Sequence, residues 1–539
     1  MSVLQAIFVA LLYYLCNSTW GLGVGWWTLM RPLVSGFLTG IILGDPTTGA
    51  VVGAQINVLY LGWIGAGGAL PSDIALAGVV GTALAITGGV DASTAMALAV
   101  PVGLLGSIIW VTKMTLNTGY VRLAEKYSEK GDTKNFWIAD TLLPQLMLFL
   151  FSFIPCFILV YFGASHIQTV LQFLGDKVVS VLSIIGGMLP AVGIALTLKS
   201  IFKGQSIVFF FLGFLLVQYF QLNSIAVGFL SMVITLVYMQ INSMINPVKA
   251  TGGVAKTEDT KTEKKAFVLL DKKTIFRSWL NWIFFNQSNY NYERMQGTGF
   301  CRSMLPVINK LYPNDPEKRA ERMKLQMQFF NTEPQWGACI IGLTAALEEK
   351  KAQGAEDISD EMITSTKTGL MGPLAGIGDT IDGGVITPLL LSLFIGITGA
   401  TGNLAGPIGY IIVEAAFMWS IYWMSYNLGY EKGSEAILNF LESGRVNKII
   451  LGASILGCMV LGSLVGNFVK LNVGLNIPVG GDQIFNLQTQ LFDAILPGML
   501  PLLLTLGCYW LLKKGWTSVQ VILLLTGVGL VGGLLGILA

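Results

Sequence analysis

The chain has 539 residues, of which 53% are hydrophobic and 12% charged, with a formal net charge of +2 and a mean hydropathy of +0.66. An ordinary soluble domain carries about 25% charged residues, so the composition excludes a soluble globular protein and predicts an integral membrane protein. The charge balance is small and confined to loops, which excludes a nucleic-acid surface and a polybasic lipid anchor.

The N-terminal stretch MSVLQAIFVALLYYL lacks the basic residues that precede the apolar part of a cleaved signal peptide, so a retained first span is expected. Uncharged runs long enough to cross about 30 Å of hydrocarbon follow at 92 to 112, 141 to 163, 178 to 198, 451 to 469 and 515 to 539. Shorter spans are read at 205 to 219 and 225 to 245. Basic clusters at Lys113 to Lys134, at Lys199 and Lys203, and from Lys249 to Arg277 are separated by these spans in pairs. All three therefore fall on one side, the cytoplasmic one. The predicted fold is an all-α polytopic membrane protein built as two halves of transmembrane helices.

Residues 1–246 form the first membrane half. Residues 247–270, rich in Gly, Thr, Lys and Glu, read as a charged cytoplasmic linker. Residues 271–539 form the second half. Within it, 271–362 mixes aromatic with charged residues and predicts amphipathic helices at the membrane surface, and 363–539 is membranous. Pro313 to Phe330, PNDPEKRAERMKLQMQFF, starts with an Asp-Pro pair and has amphipathic spacing. It reads as a solvated helix packed by one face or as a docking site for a soluble partner. Six cysteines scattered in apolar context without a C-x-x-C pair read as reduced core thiols.

Each half contains a glycine-rich interruption. Gly44-Asp45-Pro46-Thr47-Thr48-Gly49 and Gly378-Asp379-Thr380-Ile381-Asp382-Gly383 share a G-D-x-x-x-G skeleton. A residue before proline is biased away from helical geometry, so a helix break is predicted at Asp45. A second break is predicted at Asp379 to Asp382. Unwound backbone at membrane depth survives where it lines a cavity or is buried in protein, and such segments in both halves point to a transport site. Alternatively, the glycines permit close helix packing and each Asp caps a helix start. Polar groups accumulate nearby: Gln55, Asn57, Trp63 and Asp73 in the first half, and Asn291 and Glu293 within the aromatic run SWLNWIFFNQSNYNYERMQ of the second. Amides and carboxylates with flat aromatic rings suit an uncharged polyol, because hydroxyls need donors and acceptors while ring faces need a flat surface. The candidate substrate-binding set is therefore Asp45, Gln55, Asn57, Trp63, Asp73, Asn291, Glu293, Asp379, Thr380 and Asp382.

Some chemistry is missing. His166 is the sole histidine and falls in a segment assigned to the non-cytoplasmic side, so it reads as structural, and no His-rich metal site, catalytic triad or histidine phosphoryl shuttle is possible beyond that one residue. No Gly-Lys-Ser/Thr triad occurs, which removes a P-loop. The glycines of GLGVGWW (Gly21 to Trp27) follow no strand and read as packing glycines rather than a dinucleotide fingerprint. No cofactor and no metal are called for, and energy must come from an ion gradient or from a separate protein.

NYERMQGTGF (Asn291 to Phe300), FFNTEP (Phe329 to Pro334), ALEEKKAQG (Ala346 to Gly354), GLMGPLAGIGD (Gly369 to Asp379) and LPGMLPLLLTLGCYWLLKK (Leu496 to Lys514) resemble the IID subunit of the mannose-type (mannose/fructose/sorbose family) sugar phosphotransferase system. RPLVSGFLTGIILGDPTTG (Arg31 to Gly49), LGW (Leu61 to Trp63) and ALPSDIAL (Ala69 to Leu76) resemble its IIC subunit. The resemblance implies a translocator of the bacterial cytoplasmic (inner) membrane that imports a hexose-like sugar held between the IIC-like and IID-like halves. It further implies elevator-like movement, a homotrimer of the joined chain, and phosphorylation by cytoplasmic IIA and IIB proteins that carry the phosphohistidines. This sequence departs from the family pattern at several places. Asn57 stands where a glutamate is usual, and Gly25, Trp26 and Trp27 stand where acidic residues precede the Arg-Pro pair. Asp382 and Gly383 replace a phenylalanine and a tryptophan, and Thr387 replaces an arginine. These departures imply a rebuilt cavity, so the identity of the sugar does not follow from the resemblance. Two other functions compete: a gradient-driven sugar symporter, and a surface receptor for bacteriocin or phage on the same scaffold.

Overall fold

The computed structural model describes residues 1–20, 28–63, 72–201, 206–222, 224–245, 269–355, 358–442, 445–478 and 484–538, with the backbone alone in stretches such as 164–174 and 434–442. The glycine run at 21–27 and nearly all of the expected linker at 247–270 lie outside the described residues, and so does the side chain of His166.

Among the described residues the first half contributes ten α-helices: α1 (Val3–Asn17), α2 (Pro32–Leu43), α3 (Pro46–Leu59), α4 (Ile74–Gly88), α5 (Ala92–Glu129), α6 (Leu143–Ile158), α7 (Ala164–Met188), α8 (Pro190–Ile201), α9 (Ile207–Phe220) and α10 (Ser224–Ile245). The second half begins with α11 (Lys272–Phe285), α12 (Gly297–Leu311), α13 (Pro316–Gln326) and α14 (Pro334–Ala352). It continues with α15 (Asp360–Gly378), α16 (Thr387–Thr398), α17 (Ala405–Glu442), α18 (Arg445–Phe468), the short α19 (Asp493–Ile495), α20 (Met499–Lys513) and α21 (Ser518–Leu534). One two-stranded antiparallel ribbon, β1 (Asn476–Pro478) with β2 (Ile484–Asn486), is the sheet found among the described residues.

Local sequence sets where many of these helices begin. Ser2 and Gln5 form a reciprocal cap on α1, and Thr517 with Gln520 do the same on α21. Asp73, Asp91, Asp271 and Asp315 each accept a backbone N–H in the first turn of α4, α5, α11 and α13. At α11 the side chain and amide of Thr274 both hydrogen-bond Asp271 and hold its carboxyl down at about 2.

Among the described residues, five helical stretches are long and apolar enough to cross a membrane, or six if the bent pair Gln488–Ile495 and Met499–Lys513 counts as one. α1, α2, α4, α9 and α21 are shorter apolar helices. With 38 residues, α5 is roughly 57 Å long, well beyond the hydrocarbon thickness of about 30 Å. Its far end carries the opening helices of the second half. Arg294 pairs with Glu125 at 2.6 Å, and Arg319 donates to the Gly131 carbonyl at 3.4 Å. Gly131 has φ +60°, and a Cβ there would stand 2.3 Å from the Pro316 carbonyl oxygen. Ala124, Phe136 and Ala139 of the first half share a buried cluster with Trp282, Phe300 and Phe330 of the second.

Three observations differ from expectation. First, α14, inside the stretch read as surface helices, is buried from Pro334 through Ala345 and packs along α17. Its charged residues are confined to the last turns, and small residues let the partner approach: a Cβ on Gly342 would stand 2.0 Å from the Tyr426 carbonyl. Second, the packed face expected of α13 carries a charge: Arg322 is fully buried there and meets Asp360 at 2.6 Å, Glu348 at 3.6 Å and Glu321. Third, the backbone does not unwind at Asp379 to Asp382; residues Asp379–Ile386 form a π-helical segment between α15 and α16. All six cysteines are free and buried.

Candidate functional site

In the first half, α2 and α3 form a hairpin whose legs, at 12 and 14 residues, are each about 20 Å long, too short to cross the bilayer alone. Gly44 turns the chain with φ 92°, Asp45 accepts the Thr48 N–H at 3.0 Å, and Pro46 opens α3. The predicted break therefore occurs, and Asp45, half-buried, serves it as a helix cap. The legs touch through glycines: a Cβ on Gly36 would stand 2.7 Å from Gly53 Cα, and one on Gly40 would stand 2.9 Å from Gly49 Cα.

At the opposite end of the hairpin, α2 begins at Pro32 with Arg31 as a cap residue that makes no side-chain capping bond. Asn57 of α3 takes over that task, its Oδ1 accepting the Leu33 N–H at 3.2 Å. Its Nδ2 is buried without a hydrogen-bond partner. Arg31 is 1% exposed and its guanidinium lies over the Trp63 ring at 5.6 Å. Trp63 donates Nε1–H to the Ser72 carbonyl at 3.1 Å, and its ring borders a cavity of about 190 Å³ that also touches Tyr60, Ser72, Val192, Ser518 and Ile522. Gln55 sits half-buried on α3. Asp73 caps α4 through the Leu76 N–H at 2.8 Å and accepts the Tyr13 hydroxyl at 2.6 Å. It lines a second, smaller space of about 10 Å³ together with Trp63, Ser72 and Lys113, room for roughly one water.

In the second half the π-helical segment keeps the helix continuous while widening one turn: the Thr387 N–H donates to the Asp382 carbonyl, five residues back. Pro388 follows immediately and has no N–H to continue the ordinary register. Along this segment Thr380 is exposed and donates its hydroxyl to the Gly376 carbonyl at 2.7 Å. Asp379 is half-buried and Asp382 is 2% exposed. Both Asp382 carboxylate oxygens are buried without a hydrogen-bond partner. Thr387 gives its hydroxyl to Glu414 Oε1 at 3.3 Å, while Glu414 Oε2 and the Tyr410 hydroxyl have no partner. Glu333 accepts the N–H groups of Gln335 and Trp336 at the start of α14 and packs on Gly378, where a Cβ would stand 2.6 Å from it.

Asn291 and Glu293 occupy a neighbouring loop. Asn291 Oδ1 accepts the N–H groups of Glu293 and Arg294 at 3.0 and 2.8 Å, and its Nδ2 donates to the Asn289 carbonyl at 2.6 Å. Glu293 is exposed beside Arg294. Tyr290, next in the loop, is an electrostatic neighbour of Asp379, so the loop borders the π-segment without entering it.

Arg31 stands where α2 of the first half meets α17 of the second. Its guanidinium interacts electrostatically with Asp382, Glu414 and Tyr410, yet none of the ion pairs among the described residues joins them. Trp63, Arg31, Asp382, Thr387 and Glu414 thus form one buried set across the seam. Asn57 adjoins it through the first turn of α2. Asp45, Asp73, Asn291 and Glu293 lie outside it. The expected list omitted Arg31, Thr387, Tyr410 and Glu414. Glu414 had a signal, being the one carboxylate in AGPIGYIIVEAAFMWSIYW, where an intramembrane charge marks a functional site. No group of His, Cys, Asp and Glu suited to a metal occurs among the described residues.

A bundle of apolar helices of membrane length, with a partnerless charged set enclosed where its halves meet, defines a polytopic membrane translocator. Residues 269–538 match the family described as the PTS system mannose/fructose/sorbose family IID component, and residues 3–237 match the PTS system sorbose-specific IIC component. The chain belongs to this phosphotransferase-system family of sugar translocators, with a IIC and a IID component in one polypeptide. The mannose-specific EIID component of Escherichia coli (strain K12) is 39% identical over 289 residues, covering 52% of this chain and 99% of that protein. The mannose-specific EIIC component of the same strain is 32% identical over 221 residues, covering 40% of this chain and 82% of that protein. The fructose permease IID component of Bacillus subtilis (strain 168) is 38% identical over 274 residues, covering 50% of this chain and 98% of that protein. A solved structure described as the mannose transporter ManYZ in complex with microcin E492 is 37% identical, covers 50% of this chain and 98% of that chain, and has a TM-score of 0.30.

Proposed function

We propose that this translocator holds a hexose-like sugar where Arg31, Asn57 and Trp63 of the first half face Asp382, Thr387 and Glu414 of the second. The observation that carries this reading is the seam itself. Buried donors on Arg31 and Asn57 and buried acceptors on Asp382 and Glu414 lack partners, and a polyol supplies both kinds of group. Buried polar atoms are ordinarily paired, so a concentration of unpaired ones marks a place completed by a ligand. The Trp63 ring offers the flat apolar surface that a sugar ring face needs. Asp379 and Thr380, nearer the surface on the same π-segment, form the approach to the site, and Gln55 flanks it on α3. Asp45 and Asp73 hold the helix starts that position the site, and Asn291 and Glu293 shape the bordering loop.

The sugar crosses by an elevator-like displacement of a substrate-bearing part and is phosphorylated by separate cytoplasmic IIA and IIB proteins. With one histidine and no P-loop in the sequence, phosphoryl transfer falls to those partners. The joined chain works as a homotrimer in a bacterial cytoplasmic membrane. Uptake of labelled mannose, fructose and sorbose in cells with and without cytoplasmic IIA and IIB tests the reading. Uptake should require the carriers and should fall in Asp382→Ala at unchanged membrane abundance. Uptake that persists without the carriers would replace it with gradient-driven transport.

A further inference from the structure

The cavity of about 190 Å³ beside Trp63 differs in chemistry from the seam. Its wall is built mainly by Val100 and Leu104 of α5, Val192 and Leu196 of α8, and Ile522 of α21. Of its polar groups, Trp63 donates to the Ser72 carbonyl and the Ser72 hydroxyl donates to that of Tyr60 at 3.4 Å. None of the buried polar atoms left without a partner among the described residues belongs to this wall. A polyol would find nothing open to bond, whereas an apolar occupant would cost no hydrogen bond. Leu104, Leu196, Ser518 and Val519 are half-exposed. The space therefore opens outward between α5 and α8, both parts of membrane-length stretches, and the start of α21.

Basic charge without an acid stands at this mouth. Ser518 and Val519 follow Lys513 and Lys514 across a turn at Gly515, whose φ is +95°. Lys199 lies one helical turn beyond Leu196 on α8 and donates to the Leu512 carbonyl at 2.7 Å, which gathers the three lysines where α8 and α20 end. Residues 494–539 contain no Asp or Glu, and neither does α8. None of the ion pairs among the described residues includes these lysines. Lys513 and Lys514 are exposed, and Lys514 lies over the Trp510 ring at 3.9 Å. Trp510 and Trp516 are exposed too, as tryptophans at headgroup level are. Lys199 belongs to a basic cluster read as cytoplasmic, and the cytoplasmic leaflet carries the anionic lipids.

We propose that this cavity receives one acyl chain of an anionic phospholipid whose phosphate is held by Lys513 and Lys514. The chain fills a dry space that close packing would not leave empty, and the headgroup supplies the negative charge that the lysines lack. A zwitterionic lipid brings the same chain without the net charge. The end of the chain meets the Trp63 ring, over which the Arg31 guanidinium also lies, so the lipid and the seam share one wall.

The full chain is placed in phosphatidylcholine nanodiscs doped with one of two photoreactive probes, a phosphatidylglycerol or a phosphatidylcholine bearing the same diazirine-tipped acyl chain. Labelled peptides are then read by mass spectrometry. Labelling around Val192 and Leu196 of α8 and around Ile522 of α21 should be about fivefold stronger with the phosphatidylglycerol probe, the scale of one lysine near an anionic lipid. Lys513→Gln combined with Lys514→Gln should bring the two probes level while the weaker labelling by the zwitterionic probe persists. Leu196→Trp, which puts a large side chain at the cavity mouth, should remove labelling of Ile522 by both probes. If that variant fails to fold, the ratio between the probes in the unaltered chain and in the lysine variant still decides. Equal labelling by the two probes in the unaltered chain overturns the anionic-lipid assignment. A ratio that the lysine variant leaves unchanged overturns the headgroup site, and labelling confined to exposed residues such as Leu523 and Leu524, with none at Val192 or Ile522, overturns the cavity as the place of the chain.

Discussion

The α2–α3 hairpin and the α15–π–α16 helix carry the same G-D-x-x-x-G skeleton and use it in opposite ways. At Asp45 the following proline ends one helix and starts another, which exposes fresh N–H groups, and the carboxylate is taken up by the Thr48 amide. In the second skeleton the helix stays continuous through a π-register: Asp379, the counterpart of Asp45, is half-buried, while Asp382, which stands at the position of Thr48, is buried with no hydrogen-bond partner on either carboxylate oxygen. A carboxylate that its own backbone consumes is structural, and one that its backbone refuses is open to a ligand. Position of the proline decides between them: it follows Asp45 directly, but comes six residues after Asp382, at Pro388.

This contrast can be broken by mutation. The largest effect is expected at Arg31, because removing the cation from a buried set strands the carboxylates opposite. Arg31→Ala should lower stability, because it removes the cation that lies over Trp63 near two buried carboxylates, measured by thermal unfolding in nanodiscs, and Arg31→Lys should recover part of the loss. Next, Asp382→Ala should reduce sugar uptake by about tenfold to a hundredfold, the value of hydrogen bonds to a charged group at roughly 1.5–3 kcal/mol, while immunoblots of the membrane fraction stay level. Gly53→Ala tests the hairpin, since the new Cβ would stand 2.4 Å from the Pro32 carbonyl. It should force the start of α2 away from α3, cost about 1–3 kcal/mol, and weaken uptake through displacement of Arg31. The smallest effect is expected at Asp45. Asp45→Ala should cost about 1 kcal/mol as a lost cap, Asp45→Ser should restore it, and neither should change which sugar is taken up. A change of sugar preference in Asp45→Ala would erase the distinction between the two skeletons.

The first break was legible because Asp45-Pro46 acts through local sterics, which need no partner. The second was misread as an unwinding because a run of glycines with two carboxylates looks the same whether the backbone unravels or merely widens by one residue. Burial of the flanking turns, with Ile381 and Val385 packed inside, keeps those backbone hydrogen bonds closed. Asn57 and Trp63 stood out as polar or aromatic groups near an interruption, and they do adjoin the seam. Asp73 and Asn291 stood out equally, yet the oxygens of Asp73 are taken by the Leu76 N–H and the Tyr13 hydroxyl, and that of Asn291 by the N–H groups of Glu293 and Arg294. Arg322 shows the same limit elsewhere: amphipathic spacing predicted a helix packed by one face, but only the fold shows that Arg322 lies on that face, enclosed by Glu348 and Asp360 from α14 and α15.

What the amino-acid order determined alone was the all-α membrane class of this protein, the helix break at Asp45 and the family, with its IIC and IID components in one chain. Each of these depends on hydropathy, capping chemistry or residue motifs, all of which act over a few neighbouring positions. Tertiary structure decided which polar groups stay unpaired, because a carboxylate is free only after every N–H within reach has been counted. Arg31 and Glu414 lie 383 positions apart in the chain, and it is the packing of one half against the other that makes them neighbours.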